Sequence, residues 1–154
     1  QVLHRRPDGF HEIASVMLPI GLSDVLEVLI LSPDAEIPET RVPDVASEDL
    51  DFILSGLSIS GDAQSNLCVK AAKLFHAAFP FEGKVWMHLH KIIPAGAGLG
   101  GGSSDAAFVL RALNSLTGNR AATFQLETLA LKLGSDCPFF IRNNEVSLTL
   151  GRTK

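Results

Sequence analysis

Pro94-Ala95-Gly96-Ala97-Gly98-Leu99-Gly100-Gly101-Gly102-Ser103-Ser104-Asp105 holds five of the chain's thirteen glycines and leads into an apolar run. On its N-terminal side, Lys84 to Ile92 (KVWMHLHKI) alternates, with Val85, Met87 and Leu89 on one face and Trp86, His88 and His90 on the other. That is the period of a half-exposed strand. On its C-terminal side, Ala106, Val109, Leu110, Leu113 and Leu116 fall at helical spacing before Gly118, a residue suited to close a helix. The glycines therefore bridge a strand and a helix N-terminus. Bare backbone at such a junction brings N–H groups to the positive end of a helix dipole, where a polyphosphate is stabilised. A flexible linker has no reason to be wedged between two well-patterned elements.

Gly96-Ala97-Gly98-Leu99-Gly100-Gly101 satisfies G-x-G-x-x-G, but a dinucleotide fold calls for a buried, almost wholly apolar parallel strand ahead of it. Here that strand carries His88, His90 and Lys91, and Pro94 precedes the glycines. A Walker A loop needs a lysine before its Ser or Thr, whereas Gly102 is followed directly by Ser103. The sequence calls for a third kind of phosphate loop.

The rest of the chain reads as one globular domain. It has 154 residues, 46% hydrophobic and 19% charged, enough to bury a core. A net charge of -4 and a pI near 5.7 exclude a broad electrostatic footprint for nucleic acid, leaving only His4-Arg5-Arg6 as a local basic cluster. No apolar run approaches the roughly 20 residues that span a bilayer, and the N-terminus lacks the regions of a signal peptide. A protein with no membrane partner is expected. Cys68 and Cys137 lie far apart without C-x-x-C spacing, which predicts reduced thiols in a cytoplasm. Val25–Leu31 predicts a buried strand, Pro38–Asp51 a surface loop, and Phe52–Ser60 a strand with Gly56 as a bulge. Ser65 is expected to cap a helix through Phe79; a further helix spans Thr123–Leu133, and a last strand lies near Val146–Leu150. His88 and His90 share a face, but no third ligand accompanies them, and Cys137 reads as a small buried side chain.

P-A-G-A-G-L-G-G-G-S-S-D-A-A resembles the second conserved motif of the GHMP kinases, small-molecule kinases that use ATP. Arg6-Pro7-Asp8-Gly9-Phe10-His11-Glu12, Ser65-Asn66-Leu67 and Leu133-Gly134-Ser135-Asp136-Cys137-Pro138-Phe139-Phe140 are similar to further segments of that family, in the right order and spacing. With the triple glycine they point to a branch whose substrate is a cytidine diphosphate-linked methylerythritol, phosphorylated in the non-mevalonate route to isoprenoid precursors. The resemblance implies an α+β fold of the ribosomal protein S5 domain 2-like kind, with helices packed on a mixed or antiparallel sheet over residues 1–154. It implies that Pro94 to Ser104 hold the ATP phosphates, with Ser103 or Ser104 on Mg2+, and that Asp136 is the catalytic aspartate. Asn66 and Lys91 are expected near the nucleotide, and Phe10 and His11 at the cytosine, Phe10 keeping an aromatic face where the family often has tyrosine.

The family's lysine-bearing N-terminal strand and its C-terminal domain have no counterpart in this sequence. The expectation is an N-terminal domain trimmed at both ends, with poor turnover by itself. Another GHMP kinase acting on a sugar, homoserine or mevalonate-type alcohol is the neighbouring reading. A non-catalytic nucleotide-binding module and a dinucleotide oxidoreductase are the readings from other classes.

Overall fold

A computed structural model describes residues 2–5, 7, 11–32, 35, 42–142 and 147–153. In chain order its elements are β1 (Val2–Arg5), β2 (His11–Met17), β3 (Val25–Leu31), β4 (Val45–Ala46), β5 (Leu50–Gly56), a 3-10 turn (Ala63–Ser65), α1 (Leu67–Ala78), β6 (Lys84–Lys91), α2 (Gly101–Leu116), α3 (Thr123–Leu133), α4 (Cys137–Ile141) and β7 (Ser147–Thr153). One sheet has the order β3-β6-β5-β4 and the other β1-β2-β7. β6 pairs antiparallel with β3, from Val25↔His90 to Leu31↔Lys84, and parallel with β5, from Leu50↔Val85 to Gly56↔Lys91. A parallel neighbour requires a crossover, and α1 supplies it between β5 and β6. The mixed sheet with helices on it is the α+β class that the sequence implies.

The alternation of β6 decides where the core lies. Val85, Met87 and Leu89 are buried, joined by Phe52 from β5, Val69 and Phe75 from α1, and Val109, Leu110 and Leu113 from α2. Each of these larger side chains contributes about 1.5–3 kcal/mol by leaving water. α2 is the central helix, touching α1, α3, α4 and β3. On the opposite face of the sheet, the Ser55 hydroxyl lies 2.8 Å from His88 Nε2 and 2.9 Å from His90 Nδ1, and His88 Nδ1 is 2.9 Å from Glu27. Among the described residues no group of three His, Cys, Asp or Glu is arranged to hold a metal, and no helix is long and apolar enough to cross a membrane.

Several boundaries differ from the sequence reading, each for a local reason. β5 stops at Gly56 rather than Ser60. Gly56 has φ 78°, and a Cβ there would collide with the Lys91 carbonyl, so it serves close approach rather than a bulge. α1 is capped by Asn66, whose Oδ1 accepts from the Cys68 N–H at 2.8 Å; Ser65 ends the preceding 3-10 turn. β4 and the start of β5 fall inside the stretch read as a loop. There Val45 and Leu50 are buried, and Asp51 sits in the strand because Lys84 pairs with it at 2.9 Å. β1, β2 and α4 were not legible from periodicity.

Candidate active site

The junction between β6 and α2 is built by glycines in left-handed backbone. Gly96, Gly98 and Gly100 have φ of 76°, 74° and 69°, a region that costs an L-residue roughly 1–2 kcal/mol. Their alternate spacing is the repeat visible in the sequence. α2 starts at Gly101, ahead of the apolar stripe that begins at Ala106, with Gly100 as its N-cap residue and no side chain capping it. Its first-turn N–H groups therefore have no intrahelical or capping acceptor. Ile93 presses on the first of the two glycines that follow, since a Cβ at Gly101 would come within 3.0 Å of it, whereas a Cβ at Gly102 would meet Leu67 at an ordinary 3.8 Å.

Gly98 to Gly101 and Ser104 line a cleft of about 1140 Å³, together with Asp24, Asp105 and Asp136. Asp136 is exposed and occupies the N-cap position of α4, yet its carboxylate makes no capping hydrogen bond; among the described residues it accepts from the Ser135 hydroxyl alone, at 3.2 Å. A carboxylate in that state has lone pairs available to the cleft. Of the two serines, Ser104 lines the cleft, whereas Ser103 lies against Gly134 and Cys137. The fold thus gathers the glycine loop, Ser104 and Asp136 from α2 and α4, which pack on each other.

The other expected residues are placed less directly. Asn66 is spent on capping α1, one residue before the Leu67 that approaches Gly102. Lys91 is not on the cleft wall: its side chain is 2% exposed and its ammonium donates to Asp24 Oδ2 at 2.5 Å and Asp105 Oδ2 at 2.8 Å. Phe10 and the side chain of His11 lie outside the described residues. The backbone of His11 begins β2, opposite Arg5 and Thr153.

Two groups of the cleft escaped the sequence reading, Asp24 and Asp105. Their signals were an acid just ahead of the Val25–Leu31 strand and an acid among the small residues of a helix start. Burial pushes the Asp105 carboxyl up to about 6, and the hydrogen bond from Lys91 offsets that only in part. For Asp24 burial also acts upward, but hydrogen bonds from Lys91, Ile92 and Ile93 outweigh it and hold the carboxyl below its ordinary value. Burial works against the Lys91 ammonium, and the hydrogen bonds to Asp105 and Asp24 reverse this, so its pKa is raised.

An α2 N-terminus with no side-chain cap and an exposed aspartate that caps no helix share one cleft on this mixed sheet. The model of the GHMP kinases N-terminal domain matches residues 66–144, just over half of the chain, and the chain belongs to that family. The 4-diphosphocytidyl-2-C-methyl-D-erythritol kinase of Cytophaga hutchinsonii is 39% identical over 145 residues, covering 94% of this chain and 47% of that protein. The kinase of the same name from Bacteroides thetaiotaomicron is 44% identical over 147 residues, covering 92% of this chain and 47% of the relative. A crystal structure of 4-(cytidine 5'-diphospho)-2C-methyl-D-erythritol kinase superposes with a TM-score of 0.69 at 34% identity, over 97% of this chain and 49% of its own. Homoserine kinase from Cytophaga hutchinsonii shares the fold, with a TM-score of 0.55 at 18% identity, over 80% of this chain and 34% of its own. The chain spans about half the length of the relatives it matches.

Proposed function

We propose that this chain carries the ATP phosphate loop and the catalytic aspartate of a kinase that phosphorylates the 2-hydroxyl of 4-diphosphocytidyl-2-C-methyl-D-erythritol, in the non-mevalonate route to isoprenoid precursors. The observation that carries the reading is the opening of Asp136 and of the uncapped α2 N-terminus onto one cleft. The names of the relatives supply the substrate. Residues Pro94 to Ser104 bind the phosphate chain through backbone N–H groups, whose dipoles meet the negative oxygens. Asp136 orients the substrate hydroxyl and accepts its proton as that oxygen bonds to the γ-phosphorus; the bond from phosphorus to the β–γ bridging oxygen breaks and ADP leaves.

A hydroxyl beside the phosphate loop suits a hard divalent cation, and Ser104 is the serine turned to the cleft. Ser104 would hold Mg2+ there, with Ser103 as the neighbouring serine, and the ion would supply charge neutralisation to the phosphates. Asn66, one residue from the Leu67 that borders Gly102, belongs to the nucleotide's surroundings, and Lys91 acts from inside the fold. Phe10 stacks on the cytosine and His11 hydrogen-bonds it, as their motif implies. The same reading puts the protein in the cytoplasm, where the buried thiols of Cys68 and Cys137 stay reduced.

The test is ATP-dependent phosphorylation by the full-length protein, with the cytidyl substrate beside a panel of sugar, homoserine and mevalonate-type alcohols. Turnover confined to the cytidyl alcohol, and lost in Asp136→Asn, bears the proposal out. Activity on another alcohol alone would replace the substrate, and ATP-independent behaviour throughout would overturn the kinase reading.

A further inference from the structure

Asp24, Lys91 and Asp105 meet where the glycine loop begins and where it ends. Lys91 is the last residue of β6, and the next two backbone N–H groups, Ile92 and Ile93, both donate to Asp24 Oδ1, at 2.5 and 2.8 Å. Asp24 Oδ2 takes the Lys91 ammonium at 2.5 Å. The same ammonium reaches Asp105 Oδ2 at 2.8 Å, in the second turn of α2. One carboxylate thus grips the entry to the loop, and one ammonium ties that grip to the exit.

Between these points the loop has little to hold itself. Among the described residues the only backbone hydrogen bond within Pro94–Gly100 is a long one, Ala97 N–H to the Pro94 carbonyl at 3.4 Å. Its shape is therefore set from its ends. The three side chains are almost fully withdrawn from water, at 1%, 2% and 8% exposure for Asp24, Lys91 and Asp105. Burying such a network brings no stability that apolar packing could not match. What hydrogen bonds add is fixed distances and directions, where apolar contacts slide.

We infer that Asp24, Lys91 and Asp105 act as one positioning unit, fixing where the glycine loop leaves β6 and where α2 starts, and so setting the affinity for the nucleotide without touching it. The inference rests on the proposed ATP site and assigns Asp24 and Asp105 a role in it.

The experiment compares Asp24→Leu, Asp105→Leu and Asp105→Asn in the full-length protein, by amide hydrogen exchange without ligand and by steady-state kinetics. The leucine variants should speed exchange over residues 95–104 about tenfold or more while α1 and α3 keep their protection, and should raise KM for ATP by about tenfold with KM for the alcohol within about twofold. Asp105→Asn retains an acceptor for Lys91 and should stay within about threefold of the parent on both readouts. Unchanged loop exchange, both KM values rising together, or an asparagine variant as damaged as the leucine variant would overturn the inference. Should Asp24→Leu fail to fold, the two Asp105 variants decide alone. Faster loop exchange in a protein that does not use ATP would leave the grip standing and remove the kinase reading instead.

Discussion

At the scale of single residues, two aspartates of one cleft have opposite electrostatic characters. Unfolded, Asp105 titrates at its ordinary 3.8, and folded at about 6. Below about pH 4 it is protonated in both states and adds nothing to stability. As pH rises toward 6 the unfolded chain loses the proton first, so the site costs stability increasingly, and the cost levels off above 6. Asp24 runs the other way: its lowered carboxyl lends stability at neutral pH that is lost as pH falls through its folded value. Asp105→Asn should therefore gain on the parent by roughly 1–3 kcal/mol between pH 4 and pH 7, measured by urea denaturation at both values. Equal gaps at the two values would contradict the assignment. Asp136→Asn belongs to the same scale. It removes the proton acceptor that the proposed reaction calls for, a carboxylate that makes no structural cap, so kcat of the full-length protein should fall about 10²–10⁴-fold with an unchanged melting temperature.

At the scale of elements, the glycine loop and the turn from α2 to α3 each hang on one position. Gly100→Ala puts a side chain into left-handed backbone and its Cβ 3.3 Å from the Phe140 ring. The expected cost is about 1–2 kcal/mol, read as a lower denaturation midpoint and a raised KM for ATP. Asn114 is buried near the end of α2 and both donates to the Ala121 carbonyl at 3.0 Å and accepts from its N–H at 2.8 Å. Asn114→Ala strands two buried backbone groups and should cost about 2–4 kcal/mol, with activity per folded molecule retained. Legibility differed between these two features. The glycines were readable because left-handed backbone leaves a compositional mark. Asn114 looked like any polar residue near a helix end, since its partner is set by how α3 returns. The helix over Thr123–Leu133 was legible because its end at Gly134 lies in local sequence, whereas α4 is too short to show a period.

At the scale of the whole molecule, the class was legible in the order of the motifs, and the pairing of strands was not. Nothing in the alternation of Lys84–Lys91 says that β6 lies between β3 and β5, because both faces would look the same at an edge. Asp24 and Asp105 were missed for the same reason. They are 81 positions apart, and what joins them is Lys91, brought into place by the sheet. Val16, Leu18, Ile20, Leu22 and Val25 rim the cleft with 45–61% of their surface exposed. Such an apolar rim attracts other apolar surfaces. The 154-residue chain should bind a hydrophobic reporter dye, and Ile20→Lys should cut the signal by roughly half; a dye-silent parent chain would count against an open rim.

The position of β6 also sets the order of assembly. β3 and β5 are both synthesised before it, yet neither touches the other in the finished sheet, and each presents an open edge until β6 inserts between them. Pairing β6 with both closes long loops before the contacts reward it, a topology that slows folding, and strand edges left unpaired are where chains associate. The strand that delivers the glycine loop is the last piece of its sheet to arrive, so the loop takes its working shape only once that sheet is complete.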